Sequence, residues 1–133
     1  ILISPVDATR AAANEILQAK WNSPSVAEVN AGLSYAYAEG GDSQRSGTII
    51  ALTSNLTKGG TLANGKWRGA NENPIPDEAF SGLNKSQGNV ALMDGSAKMS
   101  TDADLGNNGL LVKIHVNSRG GQTKGKSSVH VIR

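Results

Sequence analysis

The sequence predicts an α+β fold in which one N-terminal helix packs against an antiparallel sheet. Residues 6–21 have the composition and spacing of a helix, and several later segments are short apolar runs bounded by glycine and asparagine. Neither an internal repeat nor a regular alternation of strands and helices is present, which argues against a parallel sheet. At 133 residues, the chain 1–133 is expected to form one domain.

The helix at 6–21 is rich in alanine and also contains Glu15, Leu17 and Lys20, all of which are good helix formers. Asp7 is a candidate N-cap. The segment ends at Asn22-Ser23-Pro24, because proline disfavours the helical conformation in the residue before it. An apolar face with helical spacing is expected to pack on the sheet; it consists of Ala12, Ala13, Ile16 and Leu17.

Two strands are predicted in the middle of the chain, at 31–39 and 48–53. The first strand stops at the turn sequence Gly40-Gly41-Asp42, and the second is rich in β-branched residues. Residues 57–88 contain many glycines and two prolines, so they are predicted to form one long loop.

A β-hairpin is predicted between Gly88 and Met99, with a two-residue type I′ turn at Asp94-Gly95. This turn would place Met93 opposite Ser96, Leu92 opposite Ala97 and Val90 opposite Met99. The apolar side chains would then share the face toward the helix, and the hairpin would supply central strands. These side chains are Val90, Leu92, Ala97 and Met99.

The C-terminal third alternates apolar and polar residues twice, which predicts two more antiparallel strands at 110–116 and 128–132. His115 and His130 would lie opposite the valines and could be cross-strand neighbours. We interpret them as polar-face residues rather than as a metal or catalytic pair.

Composition and motifs exclude several classes of function. The net charge is only +2, and the basic residues are mostly dispersed, so no nucleic-acid partner is expected. Without cysteine, the chain has no thiolate chemistry. A Gly-x-Ser-x-Gly nucleophile motif and a paired-carboxylate pattern are also missing, so we predict no catalytic residues and no enzyme.

Several segments, in order, resemble one family. Gly88 to Met99 resembles the C-terminal signature of the H-x9-DG prepilin-like proteins of Planctomycetes and Verrucomicrobia. Ile3-Ser4-Pro5-Val6-Asp7 resembles their C-P-S-D segment, Leu33-Ser34-Tyr35-Ala36-Tyr37 their N-x-S-Y strand, and Trp67-Arg68-Gly69 a tryptophan-glycine pair. The chain departs from the family at two positions: Asn84 stands where the histidine is expected, and Ile3 or Ser4 replaces the cysteine.

The resemblance implies a pilin-like globular head whose apolar N-terminal helix is missing from this sequence. That helix would first sit in the inner membrane and then pack in a filament core. The expected function is a non-enzymatic subunit of a type IV pilus-like or type II secretion pseudopilus filament, at the cell surface or spanning the periplasm. Its partners would be copies of itself or other pilin-like subunits. The alternative is a secreted module that binds carbohydrate or another surface ligand, with Trp67 as the loop aromatic for stacking.

The run Thr101-Asp102-Ala103-Asp104-Leu105 resembles the calcium-binding Asp-Ala-Asp loop of major pseudopilins. Calcium takes about six to eight oxygen ligands, which Asp102 and Asp104 could supply together with nearby carbonyls and Asn107 or Asn108. The resemblance therefore makes Asp102 and Asp104 candidate calcium ligands. The other interpretation is a solvated acidic loop, or an aspartate that caps a turn.

Overall fold

The computed structural model describes residue 4 and residues 6–57, 60–116 and 129–130. Its helices are α1 (Ala11–Ala19), α2 (Val26–Ala31) and α3 (Leu110–Val116), with 3₁₀ turns at Ala8–Arg10 and Asp102–Asp104. Its strands are β1 (Tyr35–Ala38), β2 (Ile49–Thr53), β3 (Gly88–Leu92), β4 (Ala97–Ser100) and the two-residue β5 (Val129–His130). This architecture confirms the predicted α+β class.

The described strands form one antiparallel sheet in the order β4-β3-β2-β1-β5. In the centre, Leu52 of β2 lies opposite Ala36 of β1 on one side and Val90 of β3 on the other. These three side chains share the inner face and are nearly inaccessible to solvent. The register between β2 and β3 shifts between Ile49 and Ala51, so Ile50 forms a β-bulge there.

The helix that covers the inner face is α3, not the N-terminal helix. Leu111 and Val112 of α3 belong to the main hydrophobic cluster with the inner-face side chains of β1, β2 and β3. Among the described residues, that cluster includes none from α1. The prediction that the N-terminal helix packs against the sheet was therefore wrong, although a helix does exist at the predicted place.

Helix α1 packs instead on the residue that ends α2. The Asn14 amide donates a hydrogen bond to the Gly32 carbonyl (3.0 Å), and Leu17 is fully buried beside Gly32, where a β-carbon would lie 3.0 Å from its methyl group. Ile16, predicted to face the sheet, is 52% exposed. The buried face of α1 therefore includes Asn14, a polar residue that the apolar pattern did not predict to be buried.

Helix α2 has no counterpart among the predicted elements. It begins with a capping box in which the Ser25 hydroxyl accepts from the Glu28 N–H and the Glu28 carboxylate accepts from the Ser25 N–H. The hydrogen bond from Lys20 is the main cause that lowers the pKa of Glu28 to about 2, and the bonds from Ser25 add to it. The Ser-x-x-Glu spacing after Pro24 was a readable signal for this helix.

The hairpin between β3 and β4 forms, but with its turn displaced by one residue. Only Gly95 has a positive φ (+83°), so the turn is not type I′. The Gly95 N–H donates to the Leu92 carbonyl, and the Leu92 N–H donates to the Ser96 carbonyl. Val90 therefore lies opposite Lys98, and Met99 lies opposite Asn89. Val90 is buried as predicted and Leu92 partly so, but Ala97 and Met99 are exposed, and β4 is an edge strand.

The segment 110–116 is helical, so the prediction of a strand there was wrong. Its buried residues are Leu111, Val112 and His115, with helical rather than alternating spacing. A run of seven mostly apolar residues fits both patterns, and tertiary packing decides between them. The second C-terminal strand is confirmed at Val129–His130, which pairs with Ala38 and Tyr37 of β1, and the rest of that prediction lies outside the described residues.

The long loop between β2 and β3 is confirmed, and Trp67 anchors it in the core. Trp67 is 1% exposed, and its indole Nε1–H donates to the Ser100 hydroxyl (3.1 Å). Its ring lies against Gly88, where a β-carbon would come within 2.3 Å of the ring. The tryptophan therefore occupies the space that a side chain at position 88 would need.

This contact predicts that Gly88→Ala destabilises the protein by about 1–3 kcal/mol or more, because the new methyl group overpacks the ring of Trp67. Gly95→Ala is the matched control: nothing lies within 4 Å of its β-carbon position, so only the positive φ is penalised, by about 1–2 kcal/mol. Urea denaturation gives the free energies of unfolding. Equal stability of Gly88→Ala and the parent protein would contradict the close contact.

Candidate functional site

The candidate calcium ligands lie in the 3₁₀ turn Asp102–Asp104, and both carboxylates hold backbone amides. Asp102 Oδ1 accepts from the Trp67 N–H at 2.8 Å. Asp104 Oδ2 accepts from the Thr101 N–H at 2.9 Å. Asp104 thus caps its own turn, whereas Asp102 joins the turn to the long loop.

Asp102 is a cross-link between three segments. Its carboxylate binds the backbone of Trp67, and its own N–H donates to the Ser86 hydroxyl at 3.1 Å. The Ser86 N–H in turn donates to the Trp67 carbonyl at 3.2 Å. A ring of hydrogen bonds therefore holds the tryptophan backbone from both sides.

Within the described part of the chain, no three histidine, cysteine, aspartate or glutamate side chains are grouped so that they could hold a metal ion. Asn107 and Asn108, the other suggested ligands, are exposed. Each aspartate still has a second carboxylate oxygen, so calcium binding at Asp102 and Asp104 stays a prediction.

Asn84, which stands where the resemblance predicts a histidine, lies in an exposed turn next to this hydrogen-bonded group. The Asn84 N–H donates to the Gln87 side chain, and the Gln87 N–H donates to the Asn84 carbonyl, both at 3.0 Å. Ser86 has a positive φ of 63°, which directs its hydroxyl to the Asp102 N–H. The segment before β3 is therefore a turn that supports Asp102.

The two histidines are not cross-strand neighbours, so that prediction was wrong. His130 is in β5 and lies opposite Tyr37 of β1, whereas His115 is on α3 and fully buried. The Ile49 N–H donates to His115 Nδ1 (3.2 Å), and Nε2–H donates to the Glu39 carbonyl (2.9 Å). Burial lowers the pKa of His115, and the hydrogen bond to Glu39 opposes this shift.

A second buried polar group joins the N-terminal segment to the start of β1. The Ser34 hydroxyl accepts from the Ser4 N–H (3.0 Å) and donates to Asp7 Oδ2 (2.7 Å). Arg10 Nη1 also donates to Asp7 Oδ2, at 2.7 Å, and the Asp7 side chain has no exposed surface. Asp7 occupies the predicted N-cap position, before the 3₁₀ turn that leads into α1, but its side chain makes no capping hydrogen bond to that turn.

Trp67, the aromatic residue predicted to stack on a carbohydrate ligand, is not exposed, but two tyrosines are. Trp67 is buried, whereas Tyr35 and Tyr37 are 40% and 48% exposed on the outer face of the sheet. Beside Tyr35, an apolar groove of about 120 Å³ is lined in part by Ala51, Ala91 and Ala97. The groove is much smaller than the roughly 300–1,000 Å³ of typical ligand pockets.

Sequence reasoning named Asp102 and Asp104 but missed Ser34 and misplaced His115. The only sequence signal for the role of Ser34 was its place in the segment that resembles the N-x-S-Y strand. None of the helices in the described part of the chain is long and apolar enough to span a membrane. No protein-family model, curated protein or solved structure matches the chain.

We expect Asp102→Ala to destabilise the fold by about 1–3 kcal/mol, because it leaves the N–H of the buried Trp67 without its acceptor. Asp102→Asn keeps an oxygen acceptor and should lose less than half as much. Urea denaturation of both variants measures the difference. Equal losses would show that the negative charge, rather than the hydrogen bond, is what matters.

If the calcium prediction is right, millimolar calcium raises the melting temperature of the parent protein but not that of Asp104→Ala. Binding to the folded form alone contributes about 2.7 kcal/mol when calcium exceeds its Kd a hundredfold. The measurement is thermal unfolding with calcium and then with chelator. Identical parent curves in the two conditions would exclude the site, and an undiminished response of Asp104→Ala would place the metal elsewhere.

Proposed function

We propose that this chain is the globular head of a pilin-like protein, a non-enzymatic subunit of a type IV pilus-like or pseudopilus filament. The full protein would carry an apolar N-terminal helix that anchors it in the inner membrane before assembly. The filament would lie at the cell surface or span the periplasm. Its partners are copies of the same chain or other pilin-like subunits.

The observation that carries the proposal is that the motifs behind the resemblance contact one another in pairs. Ser4 and Asp7, in the segment similar to C-P-S-D, are both hydrogen-bonded to Ser34 in the N-x-S-Y-like strand. Trp67, in the tryptophan-glycine pair, contacts Gly88 in the hairpin signature and Asp102 just beyond it. In a structural subunit, the residues that resemble a family are expected to be those that hold the fold together, and these contacts have that role.

Exposed apolar side chains also support a role in assembly. On α1, just after it and at the start of α2, three large apolar side chains are at least half exposed: Ile16 (52%), Trp21 (61%) and Val26 (75%). Tryptophan is among the residues that contribute most to protein–protein contacts. Single exposed residues are common on monomers, so these side chains add to the argument without carrying it.

A secreted binding module is the second candidate, favoured by Tyr35 and Tyr37. Alternate residues of a strand point to the same face, and both tyrosines of β1 are exposed there. Such a pair could stack on the rings of a carbohydrate. If this function is correct, Tyr35→Ala and Tyr37→Ala abolish binding to an oligosaccharide array, while Met99→Ala, also on the outer face, does not.

We expect the 133-residue chain alone to be monomeric at micromolar concentration and to polymerise only when joined to its apolar helix. Sedimentation velocity measures the state of the isolated chain. Antibodies raised against it should then label filaments on the source cells in electron microscopy. Label on the cell wall without filaments would favour the binding module, and filaments formed by the isolated chain would show that contacts between heads suffice.

A further inference from the structure

The imidazole of His115 lies where the backbone ladder between β1 and β2 comes to an end. The last described pair of that ladder is Tyr37 with Ala51. Continuing the same antiparallel register would place Glu39 opposite Ile49. The backbone groups of these two residues instead bind the two nitrogens of the ring. The side chain from α3 therefore takes the place of a direct strand-to-strand hydrogen bond.

The two hydrogen bonds require one protonation state. The Ile49 N–H donates to Nδ1 at 3.2 Å, so Nδ1 must carry a lone pair. The Glu39 carbonyl, at 2.9 Å, accepts from Nε2, so Nε2 must carry the proton. This is the neutral Nε2–H tautomer of imidazole. A second proton, on Nδ1, would face the Ile49 N–H and break that bond.

The surroundings do not favour a charged ring. His115 has no exposed surface, and its two hydrogen bonds described above go to backbone groups. The charged residues on the adjoining segments are Glu39, the Asp42–Arg45 ion pair before β2, exposed Lys113 on α3, and the two aspartates of the 3₁₀ turn. Those two aspartates each accept a hydrogen bond from a backbone amide. Burial is the largest influence on the ring and lowers the pKa of His115 from its ordinary value of 6.5.

We propose that His115 is an acid-sensitive latch, whose protonation disconnects the last turn of α3 from the ends of β1 and β2. The charged ring can be hydrated only if this turn moves away from the sheet. The neighbouring Ile114 packs against Gly47, where a β-carbon would lie 2.9 Å from its methyl group, so this contact would be lost as well. The latch works in the isolated head and does not depend on the filament role.

The direction of the pH dependence follows from the lowered pKa. The open or unfolded state binds the proton with the ordinary pKa of 6.5, and the closed state binds it more weakly. The closed state is therefore fully stabilised above that pH and loses stability as the pH falls below it. Between the two pKa values, the equilibrium constant for opening rises about tenfold per pH unit.

Amide hydrogen exchange at Ile49 tests the latch, and the chain provides a matched control because it has only two histidines. Glutamine at position 115 keeps a donor and an acceptor but does not titrate. From about pH 8 to about pH 5, the protection factor of Ile49 should be constant down to about pH 6.5 and then fall in the parent and in His130→Gln, by up to about tenfold per unit. It should stay constant in His115→Gln. The same fall in His115→Gln as in the parent would overturn the proposal.

A second measurement keeps the proposal testable if His115→Gln does not fold. In His130→Gln the only imidazole left is that of His115, so its ring can be titrated by NMR without overlap. The expected midpoint lies below 6.5, and protection at Ile49 falls over the same pH interval. A midpoint at or above 6.5, or a titration that leaves Ile49 protected, would overturn the latch.

Discussion

The ring of Trp67 lies in the space that a side chain at position 88 would fill, and much of the fold depends on this arrangement. Gly88 opens the inner face of β3, so that a residue from the long loop can enter the core. Ser100 on β4 binds the indole N–H, and Asp102 binds the backbone N–H. One buried residue thereby joins the loop, the hairpin and the turn that follows it.

His115 and Ser34 likewise each join separate segments through one buried side chain. At both places a buried polar side chain outside the strands connects the end of a strand to another segment. His115 bridges β1 and β2 from α3, and Ser34 joins the N-terminal segment to β1. Each of these side chains is fully buried, and each makes hydrogen bonds to at least two groups. In this domain, in which only 4% of the residues are aromatic, directed polar contacts therefore add to the apolar core in joining the segments.

Local signals in the sequence predicted the elements whose conformation is decided locally. The β-branched run predicted β2, and Asp94-Gly95 predicted a hairpin with a positive φ at Gly95. The register of that hairpin slipped by one residue, because the turn needs one left-handed residue rather than two. The helix α3 was predicted as a strand because seven residues satisfy both periodicities. The helix is selected by its packing on the sheet, which the residues of this segment alone do not determine.

The candidate site shows the same limit. Residue types and spacing drew attention to Asp102, but its partner Trp67 lies 35 residues away in sequence, so its structural task could not be read locally. His115 was predicted to be a polar-face residue of a strand, because the residues next to it in sequence do not indicate that its ring binds the backbone of Ile49 and Glu39. Ser34 could be found only through the resemblance. Chemistry that depends on distant partners was therefore identified by residue but not by role.

The contrast between the two tryptophans gives the molecule two separate optical reporters. Trp67 is 1% exposed and is held inside the core, whereas Trp21 is 61% exposed just after α1. The buried indole should emit at shorter wavelength and be shielded from aqueous quenchers, while the exposed indole should emit at longer wavelength and be quenched readily. A chain with only two tryptophans can thus be followed at its centre and at its surface in a single fluorescence spectrum.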